Sequence, residues 1–193
     1  MLRPTSLPLL KSASGCQSAT GLDSQCLFQM LPDTSRTDCL ACGAYGEGWC
    51  SSGQIDVAVA RNGLGYVDST LHWGGTEANS ASGCQSAMAG SGYTYNPAEK
   101  DYGDWFLVTM LWSADGIAIT VGQQQTINLP ATAWYTGSVG KINNPVAPYD
   151  QPFYLVLTLA VCGEGALING NCEANAGLSM GYQVDWVKLS FYP

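Results

Sequence analysis

Within Gly53–Ala60, read Gly-Gln-Ile-Asp-Val-Ala-Val-Ala, an amide and a carboxylate stand two residues apart in an otherwise apolar run. On a strand, alternate side chains share a face, so Gln54 and Asp56 point one way with Ala58, and Ile55, Val57 and Val59 the other. The second face packs; the first is a candidate site. A carboxylate among such neighbours needs water or a partner, because burying it alone is costly. The chain's single histidine, His72, offers one: it stands on the next candidate strand and is placed to hydrogen-bond Asp56. Trp49, Trp73 and Trp134 are the aromatics whose flat faces could cover a ligand, and each could equally close the edge of a core.

The elements that must position these residues read as strands. Gly65–Trp73 follows the first strand through an Arg61-Asn62-Gly63 turn, which predicts an antiparallel pair. Gly21–Pro32 ends in a strand-like apolar run, and residues 104–112 and 116–121 read as two strands around an Ala114-Asp115-Gly116 turn. Residues 153–161 form a continuous apolar run expected to be buried on both faces. The chain closes on a last strand near residues 180–191. Residues 1–20 show little pattern and are expected to be irregular, 33–52 and 77–100 to be loop, and Trp134-Tyr135 to be an exposed aromatic pair. The pentapeptide Gly-Cys-Gln-Ser-Ala occurs at 15–19 and again at 83–87, too short to define a repeat.

Composition narrows the function classes. Only 11% of the 193 residues are charged, Gly is abundant, and helix-favouring charged residues are scarce, as in secreted β-rich proteins. A net charge of −8 disfavours nucleic acid and anionic membrane as partners. No run approaches the roughly 20 apolar residues of a membrane helix. Eight cysteines, an even set, point to an extracellular, oxidising setting and to disulfides whose pairing stays open. A zinc site on Cys39, Cys42 and Cys50 is the weaker reading, because no second Cys-x-x-Cys exists and His72 is remote in sequence. The start, Met1–Ser12, has too short an apolar run to be a signal peptide.

Several stretches carry a family resemblance. Gly53-Gln-Ile-Asp56 resembles the active-site strand of glycoside hydrolase family 16, the laminarinase- and lichenase-like β-glucanases, where Gly-Glu-Ile-Asp runs on to a second Glu. Thr70-Leu-His72-Trp73-Gly-Gly is similar to that family's Thr-Leu-His-Tyr-Gly-Gly. Tyr149-Asp-Gln-Pro-Phe-Tyr-Leu-Val-Leu-Thr-Leu-Ala-Val161 is similar to its Phe-Asp-Gln-Pro-Phe-Tyr-Leu-Ile-Leu-Asn-Leu-Ala-Val, and the order is collinear from Gly21 to Phe191. The resemblance implies an all-β, antiparallel jelly-roll sandwich of the concanavalin A-like type over residues 21–193, N-terminally shortened, with a concave cleft.

It also implies roles. The family's nucleophile falls on Gln54 and its helper on Asp56. Its acid/base falls on Ala58 if the strand is regular and on Val59 if it is bulged. Neither Glu is present, so the resemblance implies a degenerate member that binds a β-glucan-like polysaccharide through Trp49, Gln54, Asp56, His72, Trp73 and Trp134. A structural or interaction module with a disused cleft is the first alternative, and an active glucanase using displaced carboxylates such as Asp56 with Asp68, Glu77 or Glu164 the second. No cofactor is required. Asp185 is a candidate calcium ligand by resemblance, although calcium wants six to eight oxygens. A protein partner or second copy would suit an open sheet edge.

Overall fold

The computed structural model describes residues 7–13, 24–32, 49–61, 67–76, 79–88, 106–136, 146–161 and 183–190. Ten strands run through them: β1 (Leu7–Ala13), β2 (Ser24–Pro32), β3 (Gln54–Arg61), β4 (Val67–Thr76), β5 (Asn79–Met88), β6 (Phe106–Trp112), β7 (Gly116–Val121), β8 (Gln124–Pro130), β9 (Phe153–Val161) and β10 (Gln183–Val184). A one-turn helix α1 (Trp49–Ser52) leads into β3, and a 3₁₀ turn covers Ala131–Ala133. Two five-stranded antiparallel sheets result, in the orders β5-β4-β3-β2-β9 and β10-β1-β6-β7-β8. This is the expected antiparallel β-sandwich.

One side of each sheet supplies the core. Phe28 and Met30 of β2, Ile55 and Val57 of β3, and Val67, Leu71 and Trp73 of β4 pack against Val108, Met110 and Trp112 of β6, Ile117, Ile119 and Val121 of β7 and Ile127 of β8. β7 buries every second residue, the period expected of a strand with one packed face. One polar link joins the two sheets: the Ser69 and Thr126 hydroxyls lie 2.7 Å apart, and each also reaches a strand carbonyl. Buried hydroxyls are tolerated when so paired.

Four sequence expectations change. Residues 1–20 are not irregular throughout, since β1 fills the gap between β6 and β10. Pro8 and Lys11 mask it in the sequence, yet an interior strand tolerates a proline at a bulge, and the register with β6 shifts between Pro8 and Leu10. The 77–100 loop contains β5, which pairs with β4 through Cys84–Met88 and, past an irregularity, through Asn79. The run 153–161 is not buried on both faces: among the described residues β9 is an edge strand, largely half-buried, with Leu157 43% exposed. An edge strand has one neighbour, so an apolar sequence there is only partly covered. The closing strand is short among the described residues: Gln183 and Val184 pair with β1, Ser190 makes a lone bridge, and Trp186, Val187 and Leu189 between them are exposed.

Candidate functional site

The face of the β5-β4-β3-β2-β9 sheet turned away from the core collects the polar residues. Cross-strand pairing sets Gln54 opposite His72 and Asp56 opposite Thr70, and Asp56 opposite Gln29 on the other side. Directly opposed residues share a face. On β4 the alternation is unambiguous. Val67, Leu71 and Trp73 lie in the core, and Ser69 reaches Thr126 of the other sheet; Asp68, Thr70 and His72 therefore take the outer face.

β3 is bulged. Asp56 pairs with Thr70 and Val59 with Asp68, so Val57 and Ala58 together oppose Ser69 alone. On the β2 side Phe28 pairs with Ala58 and Gln29 with Asp56, which leaves Val57 as the inserted residue. The carbonyl of Val57 accepts a 2.8 Å hydrogen bond from the Ser69 hydroxyl. Consequently Val57 and Ala58 both join the core cluster, and Val59 returns to the outer face beside Gln54 and Asp56. The bulged spacing applies, and the position opposite Asp68 is Val59; Ala58 is excluded from the face.

Asp56 is the hub. Its Oδ1 accepts from the side-chain amides of both Gln54 and Gln29, each at 2.7 Å. Its Oδ2 lies 3.0 Å from His72 Nε2, and because a carboxylate only accepts, that nitrogen donates. With 7% of its surface exposed, Asp56 has met its desolvation by partners on three strands, β2, β3 and β4. Gln29 was not among the sequence candidates. The available signal was a lone amide within the apolar run Cys26-Leu-Phe-Gln-Met-Leu31.

A second support lies under the start of β3. Tyr149 is buried; its hydroxyl donates to the His72 carbonyl at 2.6 Å and lies 3.5 Å from that of Gln54. Burial, and then the negative charge of Asp56, push this phenol well above its ordinary titration range. Its ring meets Trp134 edge-on at 4.9 Å, and its carbonyl accepts from the Trp112 indole at 3.1 Å. The Gln151 amide donates to the carbonyls of Ser52 and Pro148, and the Thr136 hydroxyl to that of Ser51. Gly53 closes this seam with φ at +82°. A Cβ there would lie 2.9 Å from Pro148 Cγ and 3.0 Å from Tyr149 Cε1, so glycine alone fits without strain.

Of the sequence candidates, Gln54, Asp56 and His72 are therefore brought together and Val59 stands on the same face. Trp73 and Trp134 lie in the core cluster rather than on this face. Trp73 neighbours His72 on a strand and must face the core, where it is 7% exposed. Trp134 is 4% exposed in the same cluster, and only Tyr135 of the pair is exposed. Trp49 opens α1, and its side chain lies outside the described residues. Glu77 and Glu164 also lie outside them. Asp185 is exposed, and no group of three or more His, Cys, Asp or Glu able to hold a metal occurs among the described residues.

Comparison with known proteins agrees with this fold. No family model matches the chain. The chain is 33% identical over 147 residues to a glucan endo-1,3-beta-glucosidase A1 of Niallia circulans, covering 75% of this chain and 20% of that protein. It is 32% identical over 152 residues to a keratan-sulfate endo-1,4-beta-galactosidase of Sphingobacterium multivorum, covering 78% and 31%. Among solved structures, a Bacteroides ovatus family 16 enzyme in complex with a mixed-linkage glucan product superposes with a TM-score of 0.61 at 16% identity, over 98% of this chain and 71% of that one. These neighbours point to glycoside hydrolase family 16. The endo-β-1,3-glucanase of Pyrococcus furiosus, a TM-score of 0.64 at 20% identity, covers all of this chain and 63% of its own. The family 16 likeness is one of fold for these structures, and the chain spans less than a third of the length of either curated relative.

Proposed function

We propose that the protein is a carbohydrate-binding, catalytically inactive relative of the family 16 endo-β-glucanases, holding a β-glucan-like polysaccharide over the Gln54–His72 face. One observation carries this reading: the supports of the strand are intact while the groups that would react are not. Asp56 is held by three donors and β3 keeps its bulge, but the family's nucleophile place is Gln54 and its acid/base place is Val59. Retaining glycoside hydrolysis uses two carboxyl groups about 5.5 Å apart, one to attack and one to give a proton. An amide does not attack as a carboxylate does, and a valine has no proton to give. The curated relatives' names, a glucanase and a galactosidase, support a polysaccharide as ligand.

Secretion and disulfide pairing belong to the same proposal, supported by the eight cysteines, an even set. The β9 edge, nine residues without a charge, is the place this reading leaves for a protein partner or a second copy. The test is titration with β-1,3- and mixed-linkage glucan oligosaccharides while reducing ends are assayed. Binding without new reducing ends is expected. Cleavage that survives Asp56→Asn would overturn the reading, and absence of any binding would leave the cleft disused.

A further inference from the structure

Two carboxamides, not one, are tied to the Asp56 carboxylate, and that fixes what each shows to a ligand. Gln29 on β2 and Gln54 on β3 place their Nε2 atoms 2.7 Å from the same oxygen, Asp56 Oδ1. A carboxylate oxygen accepts and cannot donate, so each amide must turn its N–H group inward. Each carbonyl oxygen, on the other arm of the same planar amide, is then turned away from Asp56 Oδ1. Both glutamines are partly exposed, unlike Asp56 beneath them. Asp56 thus orders the site from below, and the ligand meets its two clamps. The same face carries a second carboxylate, Asp68, opposite Val59.

From this we infer that Gln29 is a specificity-determining residue, which with Gln54 presents a pair of acceptor oxygens selecting a neutral, hydroxyl-rich glycan and rejecting a sulfated or otherwise anionic one. The inference rests on the polysaccharide reading and narrows it. Adjacent ring hydroxyls can each donate to one amide oxygen. A sulfate or carboxylate offers only acceptors, and would face two carbonyl dipoles backed by the Asp56 charge. Like poles set against each other in this way discriminate between partners more than they add affinity. The two curated relatives differ in this respect by name, one a glucanase and the other a keratan-sulfate enzyme, so the inference sides with the first.

The experiment is a calorimetric titration of the whole chain with two probes, a neutral β-1,3-glucan hexasaccharide and a keratan sulfate oligosaccharide of similar length. The wild-type chain is expected to bind the neutral probe at least about tenfold more tightly than the sulfated one. Gln29→Met, close in size but without an amide, is expected to weaken the neutral probe by about tenfold, the range of one hydrogen bond lost from a ligand. Its thermal midpoint is recorded alongside, so that loss of fold is not mistaken for loss of a contact. The selectivity measured on the unaltered chain stands whether or not the variant folds. Equal or tighter binding of the sulfated probe overturns the inference and leaves the polysaccharide reading standing. So does a folded Gln29→Met that binds the neutral probe as the wild type does. Binding of neither probe overturns the polysaccharide reading and the inference with it.

Discussion

The two halves of β3 are built on different terms. From Gly53 to Asp56 nearly every group is tied: Gly53 is wedged against Pro148 and Tyr149, Gln54 and Asp56 share a hydrogen bond, and Tyr149 spans the carbonyls of Gln54 and His72. From Val57 to Val59 the side chains are apolar, and one hydroxyl, that of Ser69, takes the carbonyl freed by the bulge. The first half holds polar groups in place by bonds from three neighbouring segments, β2, β4 and the turn that carries Tyr149, and the second holds its shape by packing. The course of this strand is therefore set by the residues around it and does not depend on the side chain at position 59.

The sharpest challenge to that contrast is Gly53→Ala. The substitution forces a side chain into the left-handed region and drives its Cβ against Pro148 and Tyr149. Backbone strain and overpacking each cost about 1–3 kcal/mol, so a loss of about 3 kcal/mol or more is expected in urea unfolding. Ala58→Gly, at the packed end, removes one methyl and should cost clearly less. A Gly53→Ala chain as stable as the wild type would mean that the tied half is not rigid.

Asp56→Asn comes next. The shape is kept, but an amide group replaces one acceptor oxygen and faces the donors of Gln29, Gln54 and His72. Loss of charge-assisted bonds at a buried site predicts about 2–3 kcal/mol in the same assay. Gln54→Met removes one donor and should cost about 1 kcal/mol. If the two variants lost the same amount, Asp56 would not be the hub.

Much of this was legible in the sequence, and what was not has physical causes. The strand 54–61, its antiparallel neighbour and the apolar run 153–161 announce themselves by periodicity and turn residues. The inward turn of Trp73 was also readable, since His72 and Trp73 are adjacent and cannot share a face, and Val67, Ser69 and Leu71 set the parity. The bulge was not. Val57, Ala58 and Val59 are all small and apolar, so either spacing satisfies the pattern, and only pairing with both neighbouring strands shows which residue is inserted. β5 was hidden for a related reason: Asn79–Met88 is small and polar, and it is a strand because β4 offers an edge rather than because its residues favour one.

The smallest expected effect separates the two supports within the tied half. Tyr149→Phe keeps the ring against Trp134 and removes the hydroxyl that bonds the His72 carbonyl, a loss of about 1 kcal/mol near neutral pH. Its signature is in the pH dependence. Tyr149 titrates well above the ordinary 10.0, so above about pH 10 the unfolded chain releases this proton while the folded chain retains it. The folded state then binds more protons than the unfolded state, and stability falls as pH rises from there towards the folded-state value. The phenylalanine variant lacks that slope, so the stability gap between wild type and variant should narrow above pH 10 although it is constant from pH 7 to 9. Urea unfolding at three alkaline pH values measures it. A gap that stays constant would mean that the phenol is reached by water, and that the seam from Gly53 to Tyr149 is looser than its distances indicate.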